Sequence, residues 1–156
     1  MRRFTALITV LVLALAACSS DEPSRDASGS IDETGDASVF SLQVGDCFND
    51  EAAVGDVITD VPVVPCEDPH DNEIFFEFEM TDAVFPGNDA AIESSALRCL
   101  EQFQPFVGTD YLESELEIFP ITPTAQSWGE GDRVVYCVLY ALDLSKLEGS
   151  MRGSNR

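Results

Sequence analysis

The chain is short of basic residues, of histidine and of tryptophan. Eight Lys and Arg stand against 29 Asp and Glu, a formal net charge of −21. That balance argues against nucleic acid as a partner, because phosphate binding needs a basic face. It also disfavours direct docking on anionic lipid. His70 is the only histidine and Trp128 the only tryptophan. No GxSxG, HExxH or CxxC string occurs, so the common serine-hydrolase and zinc chemistries lack their signatures. No apolar run reaches the ~20 residues of a transmembrane helix. No internal repeat of useful length is visible.

What is present begins with "MRRFTALITVLVLALAACSS". Arg2 and Arg3 form a basic n-region, and Phe4 to Ala17 an apolar h-region too short to span a bilayer comfortably. Residues 1–17 therefore read as an export signal. The box "LAAC", Leu15 to Cys18, resembles that of bacterial lipoproteins. Small residues admit the peptidase, and the Cys18 thiol becomes the lipid attachment point. Two acyl chains anchor stably, since each buried methylene contributes about 0.8 kcal/mol. The expected location is the extracytoplasmic face of the cell membrane.

Cysteine usage agrees. Five cysteines are present: Cys18, Cys47, Cys66, Cys99 and Cys137. An odd count in an exported chain needs an explanation, and lipidation of Cys18 supplies one. The remaining four predict two disulfides. Three pairings are open; the sequential one, Cys47–Cys66 with Cys99–Cys137, is the simplest. A zinc site drawn from Cys47, Cys66 and His70 is the competing reading. It is disfavoured without a CxxC pair and in an oxidising compartment, so no metal is expected.

After Cys18, "SSDEPSRDASGSIDETGDAS" is dominated by Ser, Asp, Gly and Glu. Residues 18–38 are expected to form a disordered acidic tether. One folded domain is expected over 39–153. In "VFSLQVGDCF" a strand is expected before a turn at Gly45–Asp46. The prolines of "DVITDVPVVPC" put it at a sheet edge or strand end. "NEIFFEFEM" places Ile74, Phe76, Phe78 and Met80 on one face of a strand, with Glu77 and Glu79 on the other. Asn88 or Asp89 is expected to cap the helix "DAAIESSALRCLEQFQ". Its apolar face would hold Ile92, Ala96, Cys99, Leu100 and Phe103, and Pro105 would end it. "ELEIFPITPT" reads as a strand and "AQSWGEGDR" as an exposed turn. "RVVYCVLYAL" is apolar on both faces and suits a central strand. The predicted fold is α+β: a small antiparallel sheet covered by one main helix and stapled by two disulfides.

The strings "VGDCF", "VPCEDPHDNEIF", "ALRCLEQF", "PTAQSWGEGDRVVYC" and "GSMRG" resemble, in content and order, the septum formation domain of actinobacterial envelope proteins. The resemblance runs from about Val39 to Gly153. It implies an envelope-anchored protein linked with division septa, and it implies no catalytic residues.

Two strings could carry chemistry. In "CEDPHDNE", His70 stands among Asp71, Glu73 and Cys66. A general base needs a nucleophile or water within hydrogen-bond reach. None is signalled, and a bridged Cys66 would not attack. The blander reading is a proline-fixed turn in which the His70 ring and local carboxylates satisfy the backbone. In "SWGEGDR", Trp128 could be an exposed anchor or a core plug, with Asp132 and Arg133 beside it. These six residues, His70, Asp71, Glu73, Trp128, Asp132 and Arg133, are the candidates for ligand or partner contact. The sequence favours a lipid-anchored, non-catalytic binding or scaffolding module without cofactors, whose envelope protein or cell-wall partner is not specified. The alternatives are an envelope hydrolase or metal-dependent enzyme centred on His70, and a small-ligand carrier with a pocket near Trp128.

Overall fold

A computed structural model of the protein describes residues 23–50 and 59–156. The expected export signal and lipidation site, Cys18, lie outside the described residues with the rest of 1–22, as does 51–58. The elements run β1 (Gly35–Ser38), β2 (Cys47–Phe48), β3 (Asp60–Val64), β4 (Asn72–Glu79), α1 (Asn88–Val107), β5 (Leu116–Ile121), α2 (Ala125–Glu130) and β6 (Val134–Ala141). The strands form one sheet in the order β1-β3-β2-β4-β6-β5. Every pairing is antiparallel. One main helix and two disulfides complete the α+β architecture.

β6 pairs with β4 on one side and β5 on the other. Its apolar residues therefore serve two cores. Cys137, Leu139 and Ala141 lie under α1 with Phe75, Phe103 and Val107. Tyr136 and Val138 face the other way, with Ile74, Val63 and Phe48. Cys99–Cys137 fastens α1 to β6, and Cys47–Cys66 fastens β2 to the turn after β3. Their 19- and 38-residue separations correspond to about 3 and about 4 kcal/mol of lost unfolded-chain entropy.

Several local expectations need correction. In β4 the register slips between Ile74 and Phe76, which makes Phe75 an extra residue. Ile74 then pairs with Val138 on one face, while Phe76 and Phe78 pair with Cys137 and Val135 on the other. A bulge shifts the alternation by one residue. Here it turns Glu77 and Glu79 away from α1, whereas Glu73, upstream of it, points inward beside Leu139.

α1 buries Ala91, Ser95, Cys99, Phe103, Phe106 and Val107, and leaves Ile92 and Leu100 exposed. The stripe runs in i,i+4 steps through Cys99, the residue pinned to the sheet. Neither Asn88 nor Asp89 caps the helix; Gly87 stands at that position. Nor does Pro105 end it. Proline fits a helical φ and costs one backbone bond, and the burial of Phe106 and Val107 offsets that loss. Gly108, left-handed at φ 97°, ends the helix instead.

"AQSWGEGDR" is not an exposed turn. Thr124 and Ser127 form a reciprocal capping box that starts α2. "VFSLQVGDCF" contributes only the two residues of β2, and the neighbouring strand lies earlier, at β1.

That strand falls inside the expected tether. Residues 23–38 are ordered: Ile31 and Ala37 are buried, and β1 pairs with β3. β3 is thus an inner strand despite Pro62, and β1 and β5 are the edges. The anchor is an ion pair. Arg25 grips Asp46 with both terminal nitrogens, at 2.6 and 2.7 Å, and also donates to the Gly29 carbonyl. Asp46 is buried and further accepts from the Gln43 N–H. Bidentate Arg–carboxylate pairs are among the strongest of protein hydrogen bonds. The composition of this segment reads as unable to bury a core, but one cation reaching a buried carboxylate orders it.

Removing Arg25 strands the Asp46 charge in the interior. Arg25→Ala should lower unfolding free energy by about 3 kcal/mol. In the same variant, limited proteolysis should begin within residues 23–38. Wild-type stability in urea, with no new cleavage, would show that the pair does not hold the segment.

Candidate functional site

The string "CEDPHDNE" forms the turn between β3 and β4. His70 is fully buried. Its N–H donates to the Leu147 carbonyl and its carbonyl accepts from the Leu147 N–H, a two-bond antiparallel bridge. Nδ1 lies 2.8 Å from the Asp68 carbonyl, which can only accept. Nδ1 therefore carries the proton, and Nε2 is the basic nitrogen. Nε2 is buried and without a hydrogen-bond partner among the described residues. Burial pushes the His70 pKa below its ordinary 6.5; the Asp68 hydrogen bond and the Asp71 charge offset only part of that. The ring is a neutral, sealed group.

Its acidic neighbours are engaged elsewhere. Asp71 accepts from Lys146 Nζ at 2.6 Å and from the Asp50 N–H at 2.9 Å. Burial alone would raise its pKa, but these hydrogen bonds and the Lys146 charge bring it below the ordinary value. Glu73 is fully buried. It sits between Cys47 of β2 and Leu139 of β6. Its carboxylate accepts from Ser150 Oγ at 2.6 Å and from the Met151 N–H at 2.7 Å. Burial raises its pKa, and those hydrogen bonds counter the rise only in part.

The Glu73 carboxylate and the Cys47 and Cys66 sulfurs lie within 4.8 Å of one another. Free thiolates there could hold a cation. Both sulfurs are joined in the disulfide, however, so they offer no thiolate.

The C-terminal tail completes this region. Gly149 N–H donates to the Cys66 carbonyl. Further on, Gly153 and Asn155 N–H groups donate to the Phe106 and Val107 carbonyls. These are end-of-helix carbonyls that lack partners within α1. The tail thus links the His70 turn to the end of α1, which accounts for "GSMRG" as a structural string.

Trp128 stands in a separate cluster with Met80, Ala91 and Val135. Met80 follows β4 at the end opposite Glu73, so the two strings are roughly 20 Å apart at about 3.3 Å per strand residue. Trp128 is 8 % exposed, which makes it a plug and not an anchor. Phe85 packs against it, and the Arg133 guanidinium lies 3.6 Å over its ring. Arg133 also donates to the Trp128 and Asp132 carbonyls. Asp132 Oδ1 accepts from the Val134 N–H.

The third alternative, a pocket near Trp128, has a counterpart that Asp132 lines and Trp128 does not. On the sheet face opposite α1, beside α2, lies a groove of about 340 Å³. Val39, Phe40, Ile121, Val134 and Tyr136 supply apolar wall, and Glu130 and Asp132 supply charge. The pKa of the Tyr136 hydroxyl is pushed up to about 12 by burial and by the charges of Glu77, Asp132 and Asp46. Strand alternation in "VVYC" does place Val134 and Tyr136 on one face. Nothing local shows that Phe40 and α2 approach that face from distant positions.

The pH dependence of stability follows from His70. Its folded pKa lies below 6.5, so the unfolded chain binds the extra proton first as pH falls. The contribution is full above pH 6.5 and declines as pH drops from there through the folded value. Urea midpoints between pH 5 and 8 should show this decline in the wild type and less of it in His70→Gln. At pH 7.5, His70→Ala should cost about 2–3 kcal/mol, from the cavity and the stranded Asp68 carbonyl. Equal pH slopes in wild type and His70→Gln would contradict the sealed neutral ring.

No curated protein and no solved structure matches the chain. The family model described as "Septum formation" matches residues 14–153, nearly the whole chain. That range takes in both strings, all four disulfide cysteines and most of the tail, and the protein belongs to the septum formation family.

Proposed function

We propose that this septum formation protein is a lipid-anchored, non-catalytic binding module of the cell envelope, acting in septum formation or cell division. The observation that carries the non-catalytic reading is the commitment of the acids and the sulfur around His70, together with the burial of its unpartnered Nε2. Cys66 is bridged. Glu73 holds the tail, and Asp71 holds Lys146 and the Asp50 amide. The His70 ring is buried and hydrogen-bonded through Nδ1. A general base must reach a substrate proton or a water, and this ring is packed away from both. The anchor rests on the export signal and the "LAAC" box at Cys18. Two disulfides suit the oxidising side of a membrane.

Two measurements test the proposal. Labelled lipid precursor should attach to Cys18, and Cys18→Ala should be released or remain unprocessed. A variant anchored as firmly as the wild type would refute the lipid anchor. Crosslinked pull-down from the native envelope should capture a reproducible partner, and His70→Gln should retain that capture well below its melting temperature. Lost capture in a His70→Gln protein that melts like the wild type would return His70 to a functional site.

A further inference from the structure

The groove beside α2 has a chemistry of its own, independent of the His70 turn. Its volume, about 340 Å³, falls at the small end of ligand pockets. The described lining residues carry two carboxylates, Glu130 and Asp132, and no Lys or Arg. Arg133 is the nearest cation in sequence, but its guanidinium is stacked on Trp128 in the other core. Tyr136 lines the groove and is 7 % exposed. Its hydroxyl makes no hydrogen bond among the described residues. The hydroxyl is not sealed from solvent, so a ligand donor in the groove that Tyr136 lines can reach it.

From this groove, its two carboxylates and the unpartnered Tyr136 hydroxyl, we propose a binding site for a small organic ammonium with an apolar body. The carboxylates Glu130 and Asp132 attract the charge. The Tyr136 hydroxyl accepts one ammonium N–H. Val39, Phe40, Ile121 and Val134 cover the hydrocarbon. An anion would meet Glu130 and Asp132 directly. A neutral isostere would gain the apolar contacts and lose the charge term. The same ammonium could come from a free amine or from a lysine side chain of a protein.

The test titrates the full-length lipoprotein, purified in detergent, by calorimetry. The matched probes are 2-phenylethylammonium, 2-phenylethanol and 3-phenylpropionate, with the peptide acetyl-Ala-Lys-Ala-amide as a fourth. The expected result is that 2-phenylethylammonium binds at least tenfold tighter than the alcohol and that the carboxylate does not bind. Glu130→Gln combined with Asp132→Asn should remove that preference. The fold should tolerate the pair, because the amide oxygen that Asp132→Asn introduces can still accept from the Val134 N–H. Tyr136→Phe should weaken the amine severalfold and leave the alcohol unchanged. Tighter binding of the lysine peptide than of the free amine identifies a protein side chain as the source, and the reverse identifies a free amine. Equal affinity for amine and alcohol, preference for the carboxylate, or no binding of the amine or the peptide overturns the site. Partner capture by the anchored protein is a separate readout, so failure here leaves the proposed envelope-binding role standing.

Discussion

A carboxylate with no exposure to water has to be held by donors, and the donors of Glu73 lie 77 and 78 residues further along the chain. That single requirement organises one end of the molecule. To satisfy Glu73, the tail at Ser150 and Met151 must lie against β4. Once there, Leu147 pairs with His70, and Gly149 reaches the Cys66 carbonyl. Gly153 and Asn155 then close the end of α1. Gly108 meets this tail at close range, since a β-carbon there would lie 2.7 Å from Asn155 Oδ1. Turn, tail, disulfide and helix end form one interlocked unit. Removing a partner from a buried charge typically costs 3–5 kcal/mol, so the Glu73 contacts weigh heavily in holding the tail against β4.

Asp46 imposes the same requirement elsewhere in the sheet, and there a cation meets it. Asp46 is buried, and its partner Arg25 comes from the N-terminal side. In a chain of net charge −21, cations that reach buried carboxylates shape the structure more than their number suggests. Arg25 orders a segment whose composition otherwise reads as solvated. Lys146 pairs with the half-buried Asp71, and Arg133 covers the Trp128 ring.

What the sequence disclosed and what it concealed divide along the range of the interactions. The two-faced run of β6 and the existence of α1 are legible because each leaves a local pattern, whereas the cysteine count gives two disulfides and leaves their pairing open. The Phe75 bulge left none: "IFF" reads equally well as straight alternation, and only the register against Val138 and Cys137 reveals the extra residue. The phase of α1 was misjudged because Ile92 and Leu100 look like core, yet the bond from Cys99 to Cys137 sets which side meets the sheet. The capping box of Thr124 and Ser127 was visible in principle, but two glycines in "SWGEGDR" masked a six-residue helix. The residues of "CEDPHDNE" stand out in the sequence. Their roles could not be assigned, because the partners of Glu73 and His70 lie in the tail.

The central claim is that "CEDPHDNE" and the tail are part of the rigid core and not a mobile working loop. Native-state hydrogen exchange tests it most directly, since it reports the opening free energy of each amide. The amides of His70, Leu147, Gly149 and Met151 should exchange only by global unfolding, within about 1 kcal/mol of the β6 amides. If they exchange through local opening at a free energy several kcal/mol lower than that of β6, the turn moves independently of the fold, and the structural account of His70 is wrong.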